Sequence, residues 1–397
     1  MLNAQQVFLI FVSVFIKAQI ITGTVLNENE SPLQSVQVYI DGSSMVTNTN
    51  SEGQFSLNIS NQKLGSLVFK KEGFETIIYP FNAENIKKLK VILTKESIIE
   101  EVKLLNYTDK NYERYINRFL NEFLGYSREN VKIKNPKDLI FAYDKENRIL
   151  KAKAKKPLMI ENKNLGYTVE YNLMGFSIND NQNISTYLGT SFFQEMDGSK
   201  KEKNKWIINR LNAYYGSAMH FFRSAYQNKI ADEGYIVNRI VQFPNPKYPT
   251  ADELKKLDNY RESIKKSPNN QRFLNIPADI SDIQSRKNRE SKFALALTEH
   301  KMPAEKFIFK ENGRTYLKFN DLLGIVYKKH PYSWVKNKFE KATIPINMSS
   351  MIDTDGIVFE INSDGNYTEP DRLIFQDDWA KHKFSLLLPL DYEPIIK

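Results

Sequence analysis

From Ile20 to about Lys95 the chain meets a turn-forming cluster every ten or so residues, with apolar and polar residues alternating between turns. The stretch NTNSEGQFSLNI, Asn48 to Ile59, shows it most clearly. Gly53 sits in a turn, and Phe55, Leu57 and Ile59 then take every second position. A period of two sends those three side chains to one face of a strand, a pattern that a helix cannot use. ITGTVLNE has Gly23 inside a strand, SPLQSVQVYIDG puts Val36, Val38 and Ile40 on one face, LGSLVFKKEGFETIIY breaks at Gly73, and LKVILTK closes the set. Short alternating strands with regular punctuation predict a small antiparallel sandwich.

The order GTV, PLQSVQVYI, TNTNSEGQFSLNI, LVFKKEGFE, LKVILT resembles the carboxypeptidase regulatory-like domain, over roughly a fifth of the chain. The resemblance implies a transthyretin-like, seven-stranded sandwich in which Gly53 holds the turn and Phe55 fills the core. Gly23 and Gly73 complete the structural set. It implies no catalysis, because the module is an accessory found beside peptidases, in front of outer-membrane receptors and in exported Bacteroidetes-type proteins. A zinc carboxypeptidase needs His and Glu ligands in a larger domain. The four histidines here, His220, His300, His330 and His382, fall in no H-x-x-E or H-E-x-x-H pattern. No metal site and no cofactor is expected.

The compartment is read from the first residues. VFLIFVSVFI, Val7 to Ile16, is too short to span a bilayer but suits a signal-peptide core, with cleavage after Ala18. No later run is long enough for a membrane helix. The absence of cysteine excludes disulfides, thiolate metal sites and a Cys nucleophile. A net charge of +9 would suggest nucleic acid in a cytosolic chain, but an exported one meets anionic headgroups and polysaccharides instead.

TDKNYERYINRFLNEFLGYS changes period: Tyr112, Tyr115, Ile116, Phe119, Leu120, Phe123 and Leu124 recur at three and four, which predicts a core-packing helix capped at Thr108 and ended by Gly125. SIIEEVKLL before it reads as a connecting strand. Beyond Asn135-Pro136 come a hairpin around Asp144 to Asn147 and longer strands in which Tyr167, Val169, Tyr171 and Leu173 alternate. DGSKKEKNKW reads as a solvated, lysine-rich turn. WIINRLNAYYGSAMHFFRSAYQNK then reads as one helix or two. Ser217 and His220, three apart, are the candidate catalytic pair, although a nucleophilic serine also needs an orienting acid and oxyanion donors, and no G-x-S-x-G elbow is present. The small residues Gly216, Ser217 and Ala218 equally suit close backbone packing. Wording such as FLNEFLGYS and NKNLGYTVEYNLMGF also resembles uncharacterised exported proteins of the Bacteroidetes type, which implies lineage and compartment and no activity.

TADELKKLDNYRESIKK reads as a surface helix capped by Thr250, and SDIQSRKNRESKFALALTEH as another, with Asn245 to His300 an insertion or mobile cover. Asn312-Gly313 marks a hairpin. Asp353, Asp355, Asp364, Asp371, Asp377 and Asp378 sit near turns; Asp-Gly in DTDG and NSDG suits hairpin turns, and the alternatives are paired carboxylates acting on a glycan or binding Ca²⁺, for which the remaining ligands of a calcium loop are missing. Trp334 and Trp379 are core, edge or sugar-stacking residues.

The expected fold class is mainly β with α+β: an N-terminal seven-stranded transthyretin-like β-sandwich and a larger β-rich α+β region. Expected divisions are a signal peptide at 1–18, the sandwich at 20–95, an α+β region at 107–242, a charged helical insertion or linker at 243–300 and a β-rich region at 301–397. The expected function is a non-catalytic, exported cell-envelope protein, in the periplasm or at the outer membrane, that binds or scaffolds an envelope protein or polysaccharide. The alternatives are an envelope hydrolase acting on peptide or glycan, and a periplasmic component of an outer-membrane uptake system. No nucleic acid partner is expected, and no transmembrane helix after signal removal.

Overall fold

The structure, a computed structural model, describes residues 19–60, 64–83, 86, 88–96, 109–125, 128–182, 184–266, 276–335, 338–370 and 372–395. The expected signal peptide, the connecting strand at Ser97–Leu105, the Thr108 cap and Asp371 lie outside the described residues. Among the described residues strand outnumbers helix by 44% to 23%, so the fold is mainly β.

Its first strands are β1 (Gln19–Asn27), β2 (Gln37–Ile40), β3 (Val46–Asn48), β4 (Gln54–Ser60), β5 (Leu64–Lys70), β6 (Ile77–Asn82) and β7 (Leu89–Leu93). They form two sheets, ordered β4-β1-β7 and β3-β2-β5-β6. Between the sheets lies a core to which Val25, Phe55, Leu57 and Val91 contribute from one side and Val38, Ile40, Leu67 and Phe69 from the other. The pairing is not wholly antiparallel, because β1 runs parallel to β7, Gly23 opposite Leu89. Parallel neighbours need a long crossover, and here the strands of the opposite sheet supply it.

The glycines of this module do different work. Gly53 has φ +70°, and a Cβ there would lie 2.4 Å from the Val25 carbonyl oxygen. Gly73 has φ +80° with open space around it, so only its backbone conformation requires glycine. Gly23 has no positive φ, yet a Cβ would fall 2.6 Å from both the Leu89 oxygen and the Phe55 ring. Phe55 is buried and meets Phe69 edge-on, ring centres 5.5 Å apart.

The next elements are α1 (Asp109–Leu124), β8 (Val131–Ile133), β9 (Leu139–Asp144), β10 (Ile149–Ala154), β11 (Leu158–Asn162), β12 (Tyr167–Asn179) and β13 (Ile184–Glu195). The sheet runs β8-β11-β12-β10-β9, with β13 also paired to β12. Tyr167, Val169, Tyr171 and Leu173 all point into the core. The α1 stripe covers that face, with Phe119 and Phe123 fully buried. Gly125, at φ +97°, ends the helix.

Two helices follow, α2 (Lys200–Tyr214) and α3 (Ala218–Tyr226). The lysine-rich stretch at 200–205 is therefore the start of α2 and not a solvated turn. A capping box explains it: Ser199 N–H donates to Glu202 Oε2 (2.8 Å), and Glu202 N–H donates to Ser199 Oγ (3.4 Å).

The remainder comprises β14 (Tyr235–Pro244), α4 (Ala251–Lys266), α5 (Ala278–Arg289), β15 (Phe293–Glu299), β16 (Ile308–Glu311), β17 (Arg314–Lys318), β18 (Leu322–Lys329), β19 (Tyr332–Val335), β20 (Lys338–Lys341), β21 (Ile346–Asp353), β22 (Val358–Ile361), β23 (Ile374–Asp377) and α6 (Asp378–Lys381). The sheets are β15-β14-β18-β21-β23, β16-β17-β22 and the hairpin β19-β20. FALALTE, expected to continue a helix, is β15, because its alternation suits the ladder with β14. Helices α4 and α5 share a small core of Leu257, Ile280 and Ile283, with Arg286 bridging to Glu253 and Asp282. Asn312 (φ +49°) and Gly313 (φ +76°) form the tight turn between β16 and β17.

Hydrophobic cores do not follow chain order. Phe384, Leu388 and Tyr392 complete the core under α1, while Phe221, Phe222 and Val237 pack with Leu317, Ile352 and Trp379. No helix among the described residues is long and apolar enough to cross a membrane.

Candidate functional site

After α2 ends, Gly216 reverses the chain at φ +85°, and a Cβ there would lie 2.8 Å from both Met348 Sδ and the Tyr327 ring. Ser217 follows as the N-cap of α3, its Oγ accepting the His220 backbone N–H at 3.2 Å. The spacing of three thus brings Ser217 and His220 together through a cap, and the imidazole faces elsewhere. Its Nδ1 lies 3.2 Å from the Gly216 amide and 2.8 Å from the Tyr235 hydroxyl, and its Nε2 lies 3.2 Å from Glu233 Oε2.

An amide N–H can only donate, so Nδ1 is the acceptor and the neutral ring carries its proton on Nε2, toward Glu233. Burial lowers the His220 pKa, against the upward pull of the Glu233 hydrogen bond. Rings of Tyr214, Tyr215 and Tyr235 surround the imidazole at 5.0–5.1 Å, with Tyr327 at 5.7 Å. Burial also holds the Tyr235 hydroxyl well above its ordinary range. Both ring nitrogens are already bonded, so neither is placed to take a proton from Ser217. Chemically, the arrangement fastens α3 to β14 and to the Gly216 turn.

Two buried arginines act in the same way. Arg210 donates to the carbonyls of Leu165 (2.7 Å) and Gly166 (3.3 Å), pairs with Glu195 and stacks over Tyr167. Arg223 donates to the carbonyls of Asp364 (2.9 Å), Tyr392 (2.8 Å) and Leu390 (3.0 Å).

The other sequence candidates are dispersed. Asp353 accepts from the Asp355 amide, Asp364 from the Asn366 amide and Asp378 from the Ser349 amide, each at 2.9 Å. Asp355 and Asp377 have positive φ. His300 meets Asn238, His330 meets the Ala342 carbonyl, and burial brings the His382 pKa down to about 4. Among the described residues no group of three His, Asp or Glu side chains is placed to hold a metal ion. Trp379 is buried and donates to the Gly216 carbonyl at 2.7 Å, while Trp334 is exposed on β19.

The sequence reading missed the junction between the sandwich and the rest. The turn after β2 inserts between β13 and the segment at 390–391. Gly42 N–H donates to Ser191 O (2.8 Å), Phe193 N–H to Ser43 O (3.0 Å) and Leu390 N–H to Gly42 O (2.7 Å). Asp41 accepts the Ser191 amide at 2.7 Å, and Asp391 accepts the Ser44 amide at 2.9 Å. Lys70 pairs with Glu170. The one signal for this in the sequence was the Asp41-Gly42 turn itself.

Burial raises Asp41 to about 6, while the amides of Ser191 and Gly42 pull it down. The folded protein therefore holds this proton more tightly than the unfolded chain does. Its contribution is greatest below the ordinary Asp range, falls as pH rises to about 6 and is flat above. Asp41→Asn keeps an acceptor and removes the charge, so the wild-type loss of stability from pH 4 to about 6 is expected to shrink in the variant. Thermal unfolding of both proteins across that range measures it. Parallel curves for the two would refute the assignment.

No curated protein matches this chain. Among solved structures, a Bacteroides fragilis protein of unknown function, proposed to be membrane-associated, aligns with 10% identity over 88% of this chain and 97% of its own, at a TM-score of 0.15. A 9R-lipoxygenase from Cyanothece aligns with 9% identity over 56% of this chain and 50% of its own, at a TM-score of 0.17. Both scores are too low to support an argument about fold. The sandwich is where a family is matched: the chain carries a CarboxypepD_reg-like domain at residues 21–104.

Proposed function

We propose that the protein is a non-catalytic, exported cell-envelope component that binds or scaffolds an envelope partner, a protein or a polysaccharide. The observation that carries this reading is the use of Ser217 as a helix cap beside an imidazole already bonded at both nitrogens. The accessory sandwich adds support, because backbone hydrogen bonds from its Gly42 turn join it to β13 and to the 390–391 segment.

Ser217→Ala separates this from an envelope hydrolase. Loss of the cap is expected to cost about 1 kcal/mol of stability. Retention of a defined partner from washed envelope fractions is expected to be equal for both proteins. Neither protein is expected to release new amino or reducing ends from envelope peptides or glycans. Hydrolysis by the wild type that disappears in Ser217→Ala would overturn the reading.

A further inference from the structure

The hairpin β19-β20 and the loop that leads from it into β21 carry side chains that their own fold leaves in water. Ile344 is 81% exposed, Ile346 57%, Trp334 40% and Val335 38%. From Lys328 to Ile346 the sequence has five lysines and a single glutamate. Lys328, Lys338 and Lys341 are all exposed.

The hairpin is firmly held at its root. Tyr332 N–H donates to Asn212 Oδ1 (2.7 Å), Asn212 Nδ2 donates to the Tyr332 carbonyl (2.9 Å), and Tyr332 stacks on Tyr215 with ring centres 5.5 Å apart. The Ala342 amide closes onto the Pro331 carbonyl at 2.8 Å. Trp334 meets Phe339 edge-on at 4.7 Å. Exposed apolar groups are thus presented by a fixed support.

We infer that this hairpin and loop dock the protein on the surface of an anionic lipid bilayer. Trp334, Ile344 and Ile346 enter the headgroup boundary, and Lys328 and Lys338 meet lipid phosphates. An indole is favoured at that depth because its ring is apolar and its N–H is polar. Each lysine near an anionic leaflet adds attraction. A second copy of the chain fits poorly, since an isologous contact would bring lysines against lysines. A glycan fits poorly too, since two isoleucines offer its hydroxyls no hydrogen bond. The inference does not depend on the partner proposed above, because vesicles alone test it.

The full chain is mixed with phosphatidylcholine vesicles, with and without about one-third phosphatidylglycerol, and bound protein is sedimented. Trp206 and Trp379 are buried, so a blue shift of tryptophan emission on vesicles reports Trp334. The expected result is binding to the anionic vesicles, weakened by salt, with a blue shift that Trp334→Phe removes. Ile344→Ser/Ile346→Ser and Lys328→Glu/Lys338→Glu are each expected to lower the partition coefficient by about tenfold or more. All four positions are exposed, and unchanged circular dichroism verifies folding. Failure to bind anionic vesicles overturns the inference. So does equal binding to neutral vesicles, binding untouched by either double variant, or self-association through this hairpin in place of vesicle binding.

Discussion

Arg223→Met is expected to lower the unfolding free energy by about 3–5 kcal/mol. The guanidinium is buried and donates to three carbonyls from two distant segments, Asp364 on one and Leu390 and Tyr392 on the other. Methionine fills the space but leaves those acceptors without their donor, and a buried acceptor left so costs about 1–3 kcal/mol. Arg223→Lys is expected to recover less than half of the loss, because an ammonium cannot reach three carbonyls in a fork. Urea unfolding gives the magnitude. Hydrogen exchange gives the mechanism: the Leu390 amide, bonded to Gly42, should exchange faster in the methionine variant. A loss below about 1 kcal/mol, with Leu390 still protected, would show that the arginine is incidental.

Phe123→Ala is expected to cost a similar amount, about 3–5 kcal/mol. Phe123 is fully buried in α1 among Phe384 (4.9 Å), Phe119 and Tyr187 (5.1 Å each) and Tyr171 (5.2 Å), measured between ring centres. The surrounding rings are rigid and held by strands, so the cavity cannot close. Phe384→Ala enlarges the same void, and the double variant should fall short of the sum of the single losses. Strict additivity in denaturant titrations would contradict the shared packing.

These expectations show where the sequence was legible. Phe55, Leu57 and Ile59 announced their strand through period two, and the Phe119–Phe123 stripe announced its helix through period 3.6. Both patterns need only neighbours along the chain. The Ser217–His220 spacing predicted a contact and missed the atoms that make it, because Ser-x-x-His reads the same whether the serine caps a helix or meets an imidazole. The imidazole's partner Tyr235 is 15 residues away in sequence. Arg223 reaches its acceptors across 141 and 169 residues. Nothing local encodes such pairs, and isolated arginines and aspartates look like surface charge. FALALTE was misread because a short apolar alternation beside a basic helical run carries both signals. Gly23 and Gly73 looked equivalent in sequence, yet only packing against Leu89 and Phe55 shows that the first is needed for space and the second for φ.

The insertion of the Gly42 turn between β13 and the 390–391 segment also has a consequence for the order in which the protein is completed. Ser44 meets Asp391, made 347 residues later. Most of the sandwich core is contributed by residues 21–93, so that module can collapse while the rest of the chain is still being synthesised. In the folded chain that turn is closed by β13 and by Leu390, whose amide donates to the Gly42 carbonyl. Closure of that turn is a late, long-range step, slow for the same reason that any distant pairing is slow. A chain stopped short of Leu390 would leave the Gly42 carbonyl and the Ser44 amide without their partners in the 390–391 segment.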